Sequence, residues 1–346
     1  MWRNENGHNA SLLTFRRVTM VKMAQYGTKH GHAVGKLQSM QTNAEVEVVG
    51  VFEPDERRRG EMAQSGRYEG VYWFESEAEM LDDDEIVAVA SEGANVESLD
   101  QTEAIIRAGK HVWYDKPAGE NWDQWQRIIA RAREGDLLIQ MGYMFRYHDG
   151  YCKIAEWVHS GFLGDVFAVR AHMSTFLGKA QKEVVAVHQG GVFFDLCGHQ
   201  LDQIVHLLGR PERVTPFLRE DMFEVEGFTD NGVGIFEFER AIAIVDIAAL
   251  EPRPNARRFE VYGTKGSAIM EPMEPAEKIR LCLDEARDGY EAGVQFVDVA
   301  QQSRQDLYDL ELEAFLPAIR GTRAPDRSYE HELLVQEAVL RGVGHL

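Results

Sequence analysis

From Val18 onward the chain alternates short apolar runs with segments whose apolar residues recur every three or four positions, and this alternation constrains the fold more than any other feature. A βαβ series is the architecture that such a pattern builds. Val18 to Tyr26 reads as a strand and Gly27 to Gly31 as a turn; Ala33, Val34, Leu37 and Met40 then share a helical face before a second apolar run, Val46 to Phe52. Ile86 to Ala90, His111 to Tyr114 and Leu137 to Met141 read as further strands. They are separated by helical stripes at Leu99, Thr102, Ile105 and Ile106, and at Trp122, Trp125, Ile128, Ile129 and Ala132. Strands this continuously apolar belong to a parallel sheet covered on both faces.

After about residue 145 the grammar changes to longer, alternating strands joined by short turns: Val166 to Ser174, Val233 to Glu239, Ala241 to Leu250 and Arg257 to Tyr262. An open, mainly antiparallel sheet is expected. Phe193 to Leu208, Asp306 to Ile319 and Glu330 to Leu340 read as helices. Residues 1–19 are polar and aperiodic, a flexible leader with Met20 as an alternative start; Arg16-Arg17 is not read as an export signal, because Lys22 and Gln25 interrupt the apolar run behind it.

With 57 Asp plus Glu against 37 Lys plus Arg, the 346-residue chain carries a formal charge of −20, which disfavours nucleic-acid backbones and anionic membranes as partners. No run approaches the ~18 uninterrupted apolar residues of a membrane span. Cys152, Cys197 and Cys282 are widely spaced and odd in number, which supports neither a disulfide framework nor a cysteine-rich zinc site and suits a reducing, cytoplasmic setting.

Three constellations carry chemistry. The turn Gly27-Thr28-Lys29-His30-Gly31-His32 lies between a strand and a helix, where backbone N–H groups favour phosphate, although Lys29 stands where the full GxGxxG pattern has its second glycine. Glu53 ends the second strand, where a carboxylate can accept hydrogen bonds from adenosine ribose hydroxyls; the plainer alternative is a turn cap. In Phe193 to Leu208 the residues Phe194, Cys197, Leu201, Ile204, Val205 and Leu208 fall on one arc, and Asp195, His199, Asp202 and His206 on another. Asp195, one turn from His199, could orient the imidazole and raise its proton affinity, and the preceding Gly190-Gly191 suggests a tight backbone approach. A metal on Asp195, His199 and Asp202 lacks a supporting ligand cluster, so none is expected. Finally, Tyr114-Asp115-Lys116-Pro117 ends a parallel strand, where ligands of open α/β sheets bind; Lys116 could hold a substrate oxygen or be a surface residue, and Lys116-Pro117 could adopt the cis form.

These segments together resemble the glucose-fructose oxidoreductase, inositol dehydrogenase and MocA family of nicotinamide-dependent oxidoreductases. The match runs from about Met20 to the C-terminus through GTKHGHA, VGVFEPD, AGKHVWYDKPAG, GYMFRYH, GGVFFDLCGHQLDQIVHLLG, FEVYGTKGSAIM and FLPAIRGTRAPDRSYEHELLVQEAV. The chain departs from the family pattern at Asp115, where Glu is usual, at Lys29, and at Ser91 to Glu97, which follows the usual loop loosely but retains Asn95. The resemblance implies a Rossmann domain over residues 20–143 and, over residues 144–346, a substrate and oligomerisation domain whose last helices return to the first. It implies Lys116, Asp195 and His199 as catalytic residues, with Gly27, Thr28, Lys29, His30, Gly31, Glu53, Asn95 and Lys116 toward the cofactor. Arg146, His172 and His188 are weaker candidates for substrate hydroxyls. The expected cofactor is NAD, with NADP the alternative, because Glu53 opposes a 2′-phosphate while Arg57, Arg58 and Arg59 are expected to be mostly solvated. A small polyhydroxylated substrate, a sugar or cyclitol, is implied, and so is a homo-oligomer, dimer or tetramer, formed through the open sheet face. A redox-neutral lyase or glycosidase and a non-enzymatic dinucleotide-binding regulator remain alternatives within the same family.

Overall fold

The computed structural model describes residues 20–346; the leader expected at residues 1–19 lies outside the described residues. The first half runs β1 (Val21–Tyr26), α1 (Ala33–Thr42), β2 (Val46–Phe52), α2 (Glu56–Ala63), α3 (Glu77–Leu81), β3 (Ala88–Ser91), α4 (Ser98–Arg107), β4 (His111–Tyr114), α5 (Trp122–Glu134) and β5 (Ile139–Met141). Its strands form one parallel sheet in the order β2-β1-β3-β4-β5. The chain leaves β1 toward one edge and later returns to its other side, so a crevice opens at the strands' C-terminal ends between β1 and β3.

The second half contributes α6 (Asp149–His159), β6 (Val166–His172), α7 (Lys179–Val185), α8 (Gly191–Leu208), β7 (Arg213–Arg219), β8 (Asn231–Glu237), β9 (Ile242–Ala248), β10 (Arg258–Gly263), β11 (Gly266–Met270), β12 (Lys278–Leu283), β13 (Gly293–Asp298), α9 (Arg304–Ile319) and α10 (Tyr329–Gly342). Its eight strands follow the order β13-β12-β11-β10-β6-β9-β8-β7, all neighbours antiparallel except β6 and β9. One face is core, with Val169, Ala171, Val245, Val261 and Leu281 buried. Alternation places the exposed Phe217, Ile242, Val294 and Phe296 on the other.

Both faces of the first sheet are covered, as its apolar strands require. Leu37 of α1 and Leu312, Phe315 and Leu316 of α9 close over Met23, Val51, Ala90 and Trp113. On the opposite face Ile105 and Ile106 of α4 and Trp125, Ile128 and Ile129 of α5 pack into a core continuous with that of the second sheet. α9 starts on Ser303, which caps Asp306 N while Asp306 bonds back.

Helices α3, α6 and α7 and several strands lie outside the sequence reading, for physical reasons. In α7, KAQKEVV, the one buried residue is Lys182, so no apolar stripe announces the helix. β7 carries Pro216 and sits at the sheet edge, where a missing N–H is tolerated. The Gly190-Gly191 pair is explained by packing: both have positive φ, and a Cβ on Gly191 would lie 2.4 Å from the Thr229 carbonyl oxygen.

Arg146, expected as a weak substrate contact, is instead a buried clamp. Its guanidinium donates to both carboxylate oxygens of Asp202 on α8 (2.7–3.1 Å) and of Glu332 on α10 (2.7 and 2.8 Å), and His331 Nε2 meets Asp202 at 2.8 Å. Burial works against the Asp202 carboxylate, but the Arg146 charge outweighs it and holds the group well below the usual carboxylate range. Removing the cation strands two buried anions, so Arg146→Met should cost roughly 3–5 kcal/mol of stability in urea unfolding. A loss under about 1 kcal/mol would show that the carboxylates find other partners.

Candidate active site

The site grows from the C-terminal end of β4. Tyr114 is buried, its hydroxyl donating to Ser98 Oγ at 3.1 Å, and the chain leaves the strand through Asp115, Lys116 and a cis Lys116-Pro117 bond. Lys116 reaches across to the start of α8, where its ammonium donates to the Asp195 carbonyl at 2.8 Å and to Asp195 Oδ1 at 3.1 Å. Asn95, from the loop after β3, donates to the same Oδ1 at 3.4 Å. Asp195 is 21% exposed. Burial raises the energy of its charge, yet Lys116 and Asn95 more than compensate and keep the carboxyl below its ordinary value.

His199 follows one turn later on α8, buried beside the rings of Phe145, Tyr143 and His32 at centroid distances of 5.2, 6.1 and 6.4 Å. Its Nδ1 has no hydrogen-bond partner among the described residues. The expectation that Asp195 orients this imidazole and raises its basicity is therefore corrected: the carboxylate is committed to Lys116 and Asn95. Burial pushes His199 well below the ordinary histidine value, and the Lys116 charge adds to the shift. The ring is neutral near pH 7, a proton acceptor without a resident donor at Nδ1.

The turn after β1 meets the sterics of a dinucleotide cradle. Gly27 has φ +85°, and a Cβ there would sit 2.6 Å from Gly93 N, while a Cβ on Gly31 would meet nothing within 4 Å. Glu53 is buried and braces the turn, accepting from Thr28 N at 2.8 Å, Thr28 Oγ1 at 2.7 Å and Asp55 N at 3.1 Å. Lys29 is paired with Glu97 at 2.7 Å and lies 3.6 Å from Asp55. Of the three arginines expected in solvent, Arg57 is there, Arg59 pairs with Glu75, and Arg58 folds onto the turn, donating to Thr28 Oγ1 at 3.1 Å and the Thr28 carbonyl at 2.9 Å.

Behind the turn lies a buried charge cluster. His30 Nδ1 and His32 Nδ1 approach Asp115 Oδ2 at 3.2 and 3.0 Å, and Lys36 Nζ lies 3.2 Å from Asp115 Oδ2 and 3.2 Å from Glu92 Oε1. Lys36 also stands 4.5 Å over the Trp113 ring. Burial opposes the Asp115 charge, but His30, His32 and Lys36 hold its carboxyl well below the usual range, whereas burial drives Glu92 up and Glu311 up to about 8. Sequence reasoning missed His32, Lys36 and Glu92 as site residues. The available signal was spacing: His32 and Lys36 are one helical turn apart and both face the strand end that carries Asp115.

The remaining two weak candidates lie elsewhere. His172 meets Asp246 on the sheet face opposite the core and lies 3.5 Å from Glu251, and its Asp246 bond raises its pKa. His188 is buried, bonded to Glu120 at 2.7 Å and stacked on Phe194. Asp202 belongs to the Arg146 clamp, so the set Asp195, His199 and Asp202 does not assemble as a ligand group.

Comparison with known proteins agrees with this geometry. The NAD-binding Rossmann fold of the oxidoreductase family matches residues 16–143, and the GFO/IDH/MocA C-terminal domain matches residues 151–269. A myo-inositol 2-dehydrogenase of Thermotoga maritima is 22% identical over 321 residues, covering 91% of each chain. The UDP-N-acetylglucosamine 3-dehydrogenase GnnA of Acidithiobacillus ferrooxidans superposes with a TM-score of 0.76 at 20% identity, over 93% of this chain and 96% of its own. GenD2 from gentamicin A biosynthesis, in complex with NAD, gives a TM-score of 0.77 at 19% identity, over 98% and 95%. By its two domain matches, its pair of sheets and the residues gathered at their junction, the chain belongs to the GFO/IDH/MocA family of oxidoreductases, with an NAD-binding Rossmann fold.

Proposed function

We propose that this chain transfers hydride between NAD and a carbinol carbon of a sugar, cyclitol or close derivative. The observation that carries the reading is the convergence of Lys116 from the parallel sheet with Asp195 and His199 from α8 at the C-terminal end of β4. Bound nicotinamide supplies the hydride acceptor or donor. His199, neutral and unpartnered at Nδ1, takes the hydroxyl proton. Lys116, fixed by the carbonyl and carboxylate of Asp195, hydrogen-bonds the reacting oxygen and stabilises the charge that develops there. Asp195 is thus a positioning residue for Lys116 and not a partner of the imidazole.

A screen of sugars, cyclitols and their keto forms with both nicotinamide cofactors tests the reading. On the substrate found, His199→Ala and Lys116→Ala should each lower kcat by roughly 100-fold or more with cofactor affinity nearly unchanged. Turnover within a few-fold of the parent in either variant removes that residue from its role. Because burial first and the Lys116 charge second depress His199, the acid limb of kcat/KM for alcohol oxidation should lie below the ordinary histidine value of about 6.5. A limb at or above that value means a different base.

The position of Arg58 bears on cofactor choice. Glu53 at the end of β2 favours the ribose hydroxyls of NAD, but Arg58 lies on the same turn, close enough to receive a 2′-phosphate. NAD should bind more tightly than NADP, and Arg58→Gln should widen that preference several-fold at fixed ionic strength. Tighter NADP binding by the parent chain would show that the arginine prevails over Glu53.

A further inference from the structure

The cluster behind the turn gathers more carboxyl groups than ammonium groups. Glu92, Asp115 and Glu311 are buried with Lys36 as the one buried ammonium among them. Glu92 rests on the Lys36 ammonium, 3.2 Å from its Oε1, with no hydrogen-bond donor on Oε2. A bound cation would compete with protons for these buried carboxyls.

The donor atoms that would receive one are already gathered. One ring nitrogen each of His30 and His32 and a carboxylate oxygen of Asp115 lie within 4.8 Å of one another, the one such group of three among the described residues. The two nitrogens stand 3.2 and 3.0 Å from Asp115 Oδ2. Ligands held about 2.0–2.2 Å from a common ion are separated by roughly 3 Å, so the spacing needs little adjustment. Glu92 Oε2, fully buried and without a hydrogen-bond donor, lies 3.7 Å from His30 Nδ1. His30 and His32 keep 9% and 12% side-chain exposure, which leaves an entry path.

We propose that His30, His32 and Asp115, with Glu92 beside them, bind one divalent transition-metal ion. Two imidazoles with carboxylates suit Zn²⁺, Co²⁺ or Fe²⁺ better than Mg²⁺ or Ca²⁺, which take oxygen sets. Two contacts must give way. The His32 N–H that points at His30 Nδ1 (3.2 Å) loses its acceptor, and Lys36 shifts its weight from Asp115 toward Glu92. The ion would tie the turn after β1 to the end of β4, next to the His32 ring that faces His199.

The experiment uses the full chain, stripped with a chelator, gel-filtered and titrated with Zn²⁺ and with Co²⁺ as a coloured probe, in the absence of nicotinamide cofactor. Elemental analysis should give close to one Zn²⁺ per chain, Zn²⁺ should displace the Co²⁺ absorption, and Mg²⁺ should not. His32→Ala and Asp115→Asn, shown folded by near-ultraviolet circular dichroism, should each weaken binding at least tenfold. His206→Ala, which removes one of a separate histidine pair with His159 (4.6 Å between rings), should leave it unchanged. A folded parent chain that takes up no Zn²⁺ overturns the proposal and means that protons on the buried carboxyls balance the charge. Uptake that follows His206 instead of His32 overturns it as well. Neither result touches the oxidoreductase reading, which does not depend on the ion.

Discussion

The bond network of Lys116 is the constraint on which the site depends. A single ammonium, carried two residues past the end of β4, is held at once by the backbone and the side chain of Asp195, which ties the end of the parallel sheet to the start of α8. Asn95 adds a third segment to the same carboxylate. In the proposed reaction such a convergence would hold a cation ready for the oxygen that gains charge. The rest of the second half serves the same placement. The Arg146 clamp pins the C-terminal half of α8 to α10, while α9 closes over the first sheet.

One helix therefore carries two kinds of polar interior. Toward its N-terminus Asp195 and His199 face the junction; one turn further, Asp202 is consumed by Arg146 and His331. The difference is set by what α8 packs against and not by the residues themselves. It also explains why the His199 pKa is depressed: the ring is buried among Tyr143 and Phe145, and the Lys116 charge adds to the shift. In the proposed reaction such a base would accept a proton because the alcohol is brought to it, not because a carboxylate has strengthened it.

Much of this was legible in the sequence. The continuous apolar runs at Ala88–Ser91 and His111–Tyr114 could serve a parallel sheet alone, and the two arcs of the segment around Phe193 identified α8 and its polar side. What periodicity could not reveal is pairing between distant segments. Asp195 to Lys116 spans 79 positions and Arg146 to Glu332 spans 186, and nothing local distinguishes a carboxylate that turns to the junction from one that turns to a guanidinium. Arg58 was misread for the same reason: its neighbours Arg57 and Asp55 are exposed, and its partner is a carbonyl 30 positions earlier. The buried cluster of His32, Lys36, Glu92 and Asp115 combines the start of α1 with the ends of β3 and β4, and each of its residues reads as surface when taken alone.

The central claim is that Lys116 and His199 act on the same substrate oxygen. A crystal structure of the chain with nicotinamide cofactor and an unreactive polyol tests it most directly. The account predicts one hydroxyl oxygen within about 2.6–3.2 Å of both Lys116 Nζ and a ring nitrogen of His199, with Asp195 still on the lysine. A polyol whose carbinol beside the nicotinamide touches neither residue, or touches His199 while Lys116 stays wholly on Asp195, would contradict it.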